Sequence, residues 1–261
     1  MRMTAFTVLA LSKRAIAFAF NLKRLTRLLA VPCLTVFALL LAESFYPMFS
    51  LAETAELRMN VRPSMIVAVV FILAYLVLSL MLRVQKTVFF GEEEGTRKFF
   101  VPLPDMALAD YYLQAVRVGF GALCLAAVVI GVLTAVLAML EPLPAVASAY
   151  AVLGVAALMP YFSIRFSLCL PAGVAGEKMK LRDSWRKTAR VGSLIALLYA
   201  LFLLLPLVGA AVLYRLILSM TDQYAVTYFA ANFFALCSLL FSSVLQSAFA
   251  AYLYSAVKSD E

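Results

Sequence analysis

The sequence has no histidine and few charges. Only 14% of its 261 residues are charged, against about 25% in an ordinary soluble domain. Without histidine the chain lacks the commonest general base and the commonest metal ligand. The four cysteines stand singly in apolar stretches, with no C-x-x-C pair, and are interpreted as small hydrophobic side chains: Cys33, Cys124, Cys169 and Cys237. No catalytic residue, metal site or cofactor is predicted.

What the chain has in abundance is apolar sequence. Hydrophobic residues make up 65% of it, including 20 Phe and 12 Tyr. A transmembrane helix needs about 20 mostly apolar residues, and six stretches satisfy this requirement. They are Leu28 to Tyr46, Ser64 to Leu82, Val118 to Leu140, Pro144 to Leu168, Val191 to Leu213 and Tyr224 to Tyr254. We therefore predict an all-α integral membrane protein with six transmembrane helices.

The basic residues predict the orientation of these helices. Lys and Arg concentrate in the N-terminal segment and in the second and fourth loops, whereas the third loop has none. Because cationic loops stay on the cytoplasmic side, both termini are expected to be cytoplasmic. We predict one transmembrane domain over residues 1–261, made of an N-terminal amphipathic helix (1–27), three hairpins (28–82, 118–168 and 191–254) and two cytoplasmic loop-and-elbow segments (83–117 and 169–190).

A short pattern repeats before the third and fifth spans. Asp110 to Gly119 and Asp183 to Gly192 both read D-x6-R-V-G, and an aromatic residue, Tyr112 or Trp185, follows two positions after each aspartate. The segment from Leu11 to Leu28 also alternates apolar and basic residues at helical spacing, without this signature. These patterns favour three units, each an amphipathic cytoplasmic elbow helix followed by a transmembrane hairpin. Basic residues placed only for topology are the alternative.

One region resembles a known family. Residues 165–172 read R-F-S-L-C-L-P-A, Gly176 follows, and residues 184–188 read S-W-R-K-T. This pattern resembles the YciC-like family of bacterial inner-membrane proteins and the related membrane domain of some glycerophosphodiester phosphodiesterases. The resemblance implies a six-span protein of the bacterial inner membrane. It does not imply phosphodiesterase activity, because no soluble catalytic domain is attached. The residues after Thr188 also depart from the Gly and aromatic residue common in the family.

The same region has a direct physical interpretation. Pro171 is expected to end a helix because its ring clashes with the preceding turn. Ala172 to Gly176 should form a turn, and Asp183 or Ser184 should cap the next helix. Arg165 should lie near the end of the fourth span, from which its side chain can snorkel to lipid phosphates.

The basic cluster around this region is the first candidate site. It is predicted to bind a lipid headgroup or a membrane partner, although anchoring and topology alone are a simpler explanation. Its members are Arg165, Lys178, Lys180, Arg182, Arg186, Lys187 and Arg190. The expected partners are anionic lipids on the cytoplasmic face, another membrane protein or a second copy of the chain. Nucleic acid is not expected, because the membrane face explains the net charge of +8.

The second candidate site is a polar face on the sixth span. Asn232, Ser238, Ser242 and Gln246 lie on this helix, the last three at intervals of four residues. Such a face can line a substrate path or hold transmembrane helices together through hydrogen bonds. The leading hypothesis is therefore a non-enzymatic inner-membrane protein that binds lipid or a membrane partner in envelope or transport processes. The alternative is a small-solute or lipid transporter, or a permease-like subunit.

Overall fold

The computed structural model describes residues 4–45, 63–91, 106–140, 158, 160–220 and 224–259. Of these residues 91% are helical and none lies in a strand, which confirms the all-α prediction for this part of the chain. Residues 160–166 are also helical. The other helices are α1 (Ala5–Ala19), α2 (Leu22–Phe45), α3 (Pro63–Phe90), α4 (Met106–Leu140), α5 (Cys169–Val174), α6 (Leu181–Lys187), α7 (Gly192–Met220) and α8 (Tyr224–Lys258).

Five of the helices contain segments long and apolar enough to cross a membrane. The segments are Leu22–Ala42, Phe71–Phe90, Leu108–Val132, Gly192–Met220 and Phe229–Lys258. At 1.5 Å per residue, even the shortest matches a hydrocarbon layer of about 30 Å. The chain is therefore a multi-pass membrane protein. Most of the fourth predicted span, Pro144 to Leu168, lies outside the described residues.

The chain divides into two compact units. One contains residues 1–13, 102–199 and 249–261, and the other contains residues 14–101 and 200–248. Helices α1, α7 and α8 contribute residues to both units. The assignment of residues 1–261 to one transmembrane domain stays a prediction.

The two copies of the D-x6-R-V-G pattern have different structures. Asp110 to Gly119 lies inside the 35-residue helix α4, without a break before the membrane segment. Asp183 to Gly192 instead comprises most of α6, a turn over residues 188–191 and the first residue of α7. The first copy is thus not a separate elbow helix, and the shared residues do not determine a shared backbone.

The N-terminal amphipathic segment is helical but divided. Helix α1 ends at Ala19, and α2 begins at Leu22, before the predicted boundary at residue 28. Asn21 Oδ1 accepts a hydrogen bond from the Arg24 backbone N–H at 3.3 Å. A side-chain acceptor three residues before a free N–H is the usual way to start a helix, and this explains why α2 starts here.

Two local predictions about residues 171–184 are wrong. Pro171 does not end a helix, because it lies in the first turn of α5. Backbone N–H groups in a first turn have no partner within the helix, so a proline there costs no helical hydrogen bond. The N-cap of α6 is Lys180 rather than Asp183 or Ser184, and it makes no side-chain capping bond. Ser184 lies within the helix.

The predicted turn over Ala172 to Gly176 is only partly confirmed, because Ala172 to Val174 belong to α5 and only residues 175 and 176 form a turn. Gly176 has a φ of +81°, in the left-handed region that glycine adopts without a Cβ penalty. The Gly176 N–H donates to Gly173 O at 3.1 Å, and the Glu177 N–H donates to Ala172 O at 2.9 Å. These two bonds form a Schellman motif, which satisfies the last carbonyls of α5.

Close packing of α4 against α5 generates the first prediction. A Cβ on Gly173 would lie 2.1 Å from Gln114 Oε1 and 2.5 Å from its Cδ. We expect Gly173→Ala to displace the terminal amide of Gln114, which is the flexible end of that side chain, and to destabilise the protein by about 1 kcal/mol. Thermal unfolding in detergent measures this change.

Gly119→Ala is the matched control, because Gly119 is also helical and has nothing within 4 Å of its Cβ position. It should be neutral or slightly stabilising, since alanine has the higher helix propensity. Equal stability of the two variants would contradict the packing argument.

Candidate functional site

Arg165 is the centre of the region that carries the predicted basic site. Its side chain is only 4% exposed. The guanidinium carbon lies 4.2 Å from the centre of the Trp185 ring, and Nη2 donates a hydrogen bond to the Trp185 carbonyl oxygen at 2.9 Å. The predicted snorkelling of Arg165 is therefore wrong, because the guanidinium stacks on an aromatic ring inside the protein instead of extending outward.

Hydrogen bonds from side chains of α6 also hold the backbone of Arg165 against this helix. Ser184 Oγ donates to the Arg165 carbonyl oxygen at 2.7 Å. Thr188 Oγ1 donates to the Ser184 carbonyl oxygen at 2.9 Å and closes the end of α6. Ser184 and Thr188 are fully buried, so each hydroxyl needs such a partner. Arg165 and α6 are thus joined through side chains of both segments.

Gly192 provides the space in which the Arg165 side chain lies. A Cβ on Gly192 would stand 1.9 Å from Nη1 of Arg165 and 2.9 Å from its Cζ. Any other residue would have to displace the guanidinium. The equivalent glycine of the first D-x6-R-V-G copy, Gly119, has nothing within 4 Å, so the two glycines have different roles.

Aromatic and hydroxyl side chains complete this cluster. Phe162 and Phe166 each lie 5.8 Å from Trp185, centroid to centroid. Tyr199 donates a hydrogen bond from its hydroxyl to Ser167 Oγ at 3.4 Å. We call the group Arg165, Ser184, Trp185, Thr188 and Gly192 the arginine anchor. All its members except Gly192 belong to the family-like pattern and come from both halves of it, and these two halves therefore pack against each other.

The remaining cations of the predicted site lie on the surface. Lys187 is half-buried, whereas five others are exposed and form no ion pair with any residue in the described part of the chain. We call these five the basic surface: Lys178, Lys180, Arg182, Arg186 and Arg190. The structure thus separates Arg165 from the cations with which the sequence grouped it.

Glu177 links the start of this segment to α8. Its carboxylate accepts hydrogen bonds from the Tyr254 hydroxyl and from the Lys258 ammonium group. The Lys258 bond, followed by the Tyr254 bond, lowers the pKa of Glu177 from its usual value near 4.5. Glu177 and Lys258 remain about half exposed, so water screens this ion pair.

Cys169 is a buried thiol beside the arginine anchor. Burial raises its pKa to about 11, although Ser184 opposes this change. At neutral pH almost no thiolate forms, and the thiol is a poor nucleophile. This agrees with the interpretation of Cys169 as a small hydrophobic residue.

The predicted polar face of α8 makes mostly internal contacts. Gln246 Nε2 donates to Ser242 Oγ at 3.2 Å, so the structure brings these two residues together. Ser247 Oγ donates to the Met81 carbonyl oxygen of α3 at 2.8 Å. Asn232 and Ser238 are half-buried. These contacts are typical of side chains that hold transmembrane helices together.

No family model, no curated protein and no solved structure matches this chain. The resemblance to the YciC-like family therefore stays a prediction. The structure adds contacts that the sequence did not reveal: the stacking of Arg165 on Trp185 and the bonds to Glu177. The only sequence feature that pointed to the stacking of Arg165 was the glycine directly after the basic elbow. No spacing rule relates Glu177 to Lys258.

The arginine anchor generates the second prediction. Arg165→Lys keeps the charge but loses the planar group that stacks on Trp185 and bonds its carbonyl. We expect a loss of about 2 to 4 kcal/mol in stability, because a buried ammonium is left poorly paired. Thermal unfolding in detergent reports the loss, and Arg186→Lys on the exposed surface is the control. If both variants unfolded like the wild type, the anchor would have no structural role.

The third prediction concerns pH. A lowered pKa means that the Glu177 contact stabilises the fold above about pH 4.5 and is lost as the pH falls through the lower folded-state value. Glu177→Gln should therefore be less stable than the wild type at pH 7, and the difference should shrink as the pH falls below about 4.5. Thermal unfolding over a series of pH values measures it. A difference that does not change with pH would refute the assignment to the carboxylate.

Proposed function

We propose that this protein is a non-enzymatic inner-membrane protein whose basic surface binds the phosphates of anionic lipid headgroups on the cytoplasmic face. One observation carries the proposal: five exposed cations without ion pairs in the described part of the chain lie beside a buried anchor that fixes their backbone. Each Lys or Arg near an anionic bilayer contributes about 1 kcal/mol.

The position of the basic surface supports a lipid as the ligand. Residues 177–190 contain six cations and two carboxylates, and they directly precede the membrane segment Gly192–Met220. A basic segment at the end of a transmembrane helix lies at headgroup depth. A membrane partner with an acidic surface, or a second copy of the chain, would use the same cations.

The proposal includes a topology. Six spans with both termini in the cytoplasm would place the basic surface on the side where cationic loops accumulate. Two elbow-and-hairpin units and membership of the YciC-like family belong to the same proposal, whereas the segment Asp110 to Gly119 is part of one continuous helix. Helix α1, which is short and followed by the span of α2, and α6, which is followed by α7, support these two units.

Transport through the polar face of α8 is the less favoured function. Ser242 and Gln246 bond each other, and Ser247 bonds the backbone of α3. These bonds use the polar groups for packing rather than for solute binding. The single unbroken helix α8 also differs from the discontinuous helices that bind substrates in many transporters.

The test is native mass spectrometry of the protein released from nanodiscs that contain equal amounts of anionic and zwitterionic phospholipid. Replacing the five residues of the basic surface with Gln should reduce retained anionic lipid at least tenfold, since each cation contributes about 1 kcal/mol. Thermal unfolding checks that the variant remains folded.

The matched control replaces five other exposed cations with Gln: Lys13, Arg14, Lys23, Arg117 and Arg215. This variant has the same net charge and should retain more anionic lipid than the first, because its five cations are spread over four helices instead of lying in one segment. An equal loss in both variants would show that the cations serve topology or general charge only, and would overturn the proposal.

A further inference from the structure

Two cysteines from distant parts of the sequence meet between α2 and α8. The sulfur atoms of Cys33 and Cys237 are 3.7 Å apart, and the Cys237 thiol points its hydrogen at Cys33 Sγ. Both residues belong to the same compact unit and both are half-buried. A disulfide requires a separation of about 2.05 Å, so the sulfurs need to approach by about 1.6 Å.

Aromatic packing holds the two helices in the register that pairs the thiols. Phe37 lies one turn after Cys33 and makes edge-to-face contacts with Phe229 and Phe233, at 5.5 and 6.0 Å between centroids. Phe233 lies one turn before Cys237. On the other side of the pair, Phe241 of α8 contacts Phe20, which lies two residues before α2, at 5.6 Å between centroids. Ring contacts on both sides therefore fix the distance between the sulfurs.

The thiols lie deep in the apolar segments. Cys33 is nine residues from the end of the segment Leu22–Ala42, and Cys237 is eight residues from the start of Phe229–Lys258. At 1.5 Å per residue these positions are roughly 14 and 12 Å from the nearer segment ends. A water-soluble disulfide such as oxidised glutathione does not reach this depth, whereas an oxidant that dissolves in the bilayer does.

We propose that Cys33 and Cys237 are a redox-active dithiol that a membrane-soluble quinone oxidises to a reversible disulfide. The sulfur of Cys33 adds to a ring carbon of the quinone. The sulfur of Cys237 then attacks Cys33 Sγ, so that the S–S bond forms and the S–C bond breaks. Two electrons and the two thiol protons leave with the hydroquinone.

The contact geometry assigns the attacking sulfur. A donor hydrogen directed at a sulfur favours negative charge on that atom, and the thiolate is the nucleophile in such additions. Cys33 accepts and Cys237 donates, so Cys33 attacks first. The product is a covalent link between α2 and α8 that prevents these helices from separating.

The experiment uses the full chain in liposomes, treated with a decyl-substituted benzoquinone or with oxidised glutathione. After alkylation of the remaining thiols, peptide mapping by mass spectrometry should find a Cys33–Cys237 peptide, lighter by two hydrogen atoms, only with the quinone. Dithiothreitol after solubilisation should remove it. The double variant Cys124→Ser and Cys169→Ser should form the same link, and Cys33→Ser should not.

Wild-type peptides decide the result even if a variant fails to fold. If Cys33 and Cys237 are both alkylated after quinone treatment, the proposal is wrong. Disulfides between two chains, or a link that forms equally with oxidised glutathione, would also overturn it, because they contradict the intramolecular pairing or the membrane-soluble oxidant.

Discussion

The stacking of the Arg165 guanidinium on Trp185 is the contact on which the rest of this region depends. A buried charge is costly unless its surroundings compensate it, and no carboxylate in the described part of the chain pairs with Arg165. The ring face and one carbonyl oxygen supply the compensation, and the missing side chain of Gly192 leaves room for the guanidinium. Each fixes part of the chain between residues 160 and 199, and the exposed cations take their positions from that fixed backbone.

Much of the fold follows from the sequence because the bilayer imposes a simple rule. A membrane-spanning segment must be apolar for about 20 residues and must form all its backbone hydrogen bonds within the protein. Five such segments are helical in the structure. Local breaks are harder to predict. Pro171 is compatible with the end of a helix or with its first turn, and only the packing around α5 decides between them. The repeated D-x6-R-V-G pattern likewise gives one continuous helix and one interrupted one.

The candidate site was only partly predictable for a related reason. Of the six cations in residues 178–190, five are exposed and Lys187 is half-buried; exposed lysine and arginine need no specific neighbour, so their charge and spacing were enough to group them. Arg165 was grouped with them because the sequence shows the charge of a residue but not whether its side chain is buried in the protein. Its burial depends on Trp185, 20 residues later, and on the missing side chain of Gly192. Contacts between positions so far apart leave no periodic signal.

The contact between Glu177 and Lys258 joins residues 81 positions apart. A ribosome adding 5 to 20 residues per second needs roughly 4 to 16 s to cover that distance. During this interval the arginine anchor can already form, since all of its members lie between residues 165 and 192. Glu177 can form its hydrogen bonds only after α8 has been synthesised. Closure of this contact therefore marks the moment in biogenesis when the final described helix has been made and has joined the part of the protein synthesised before it.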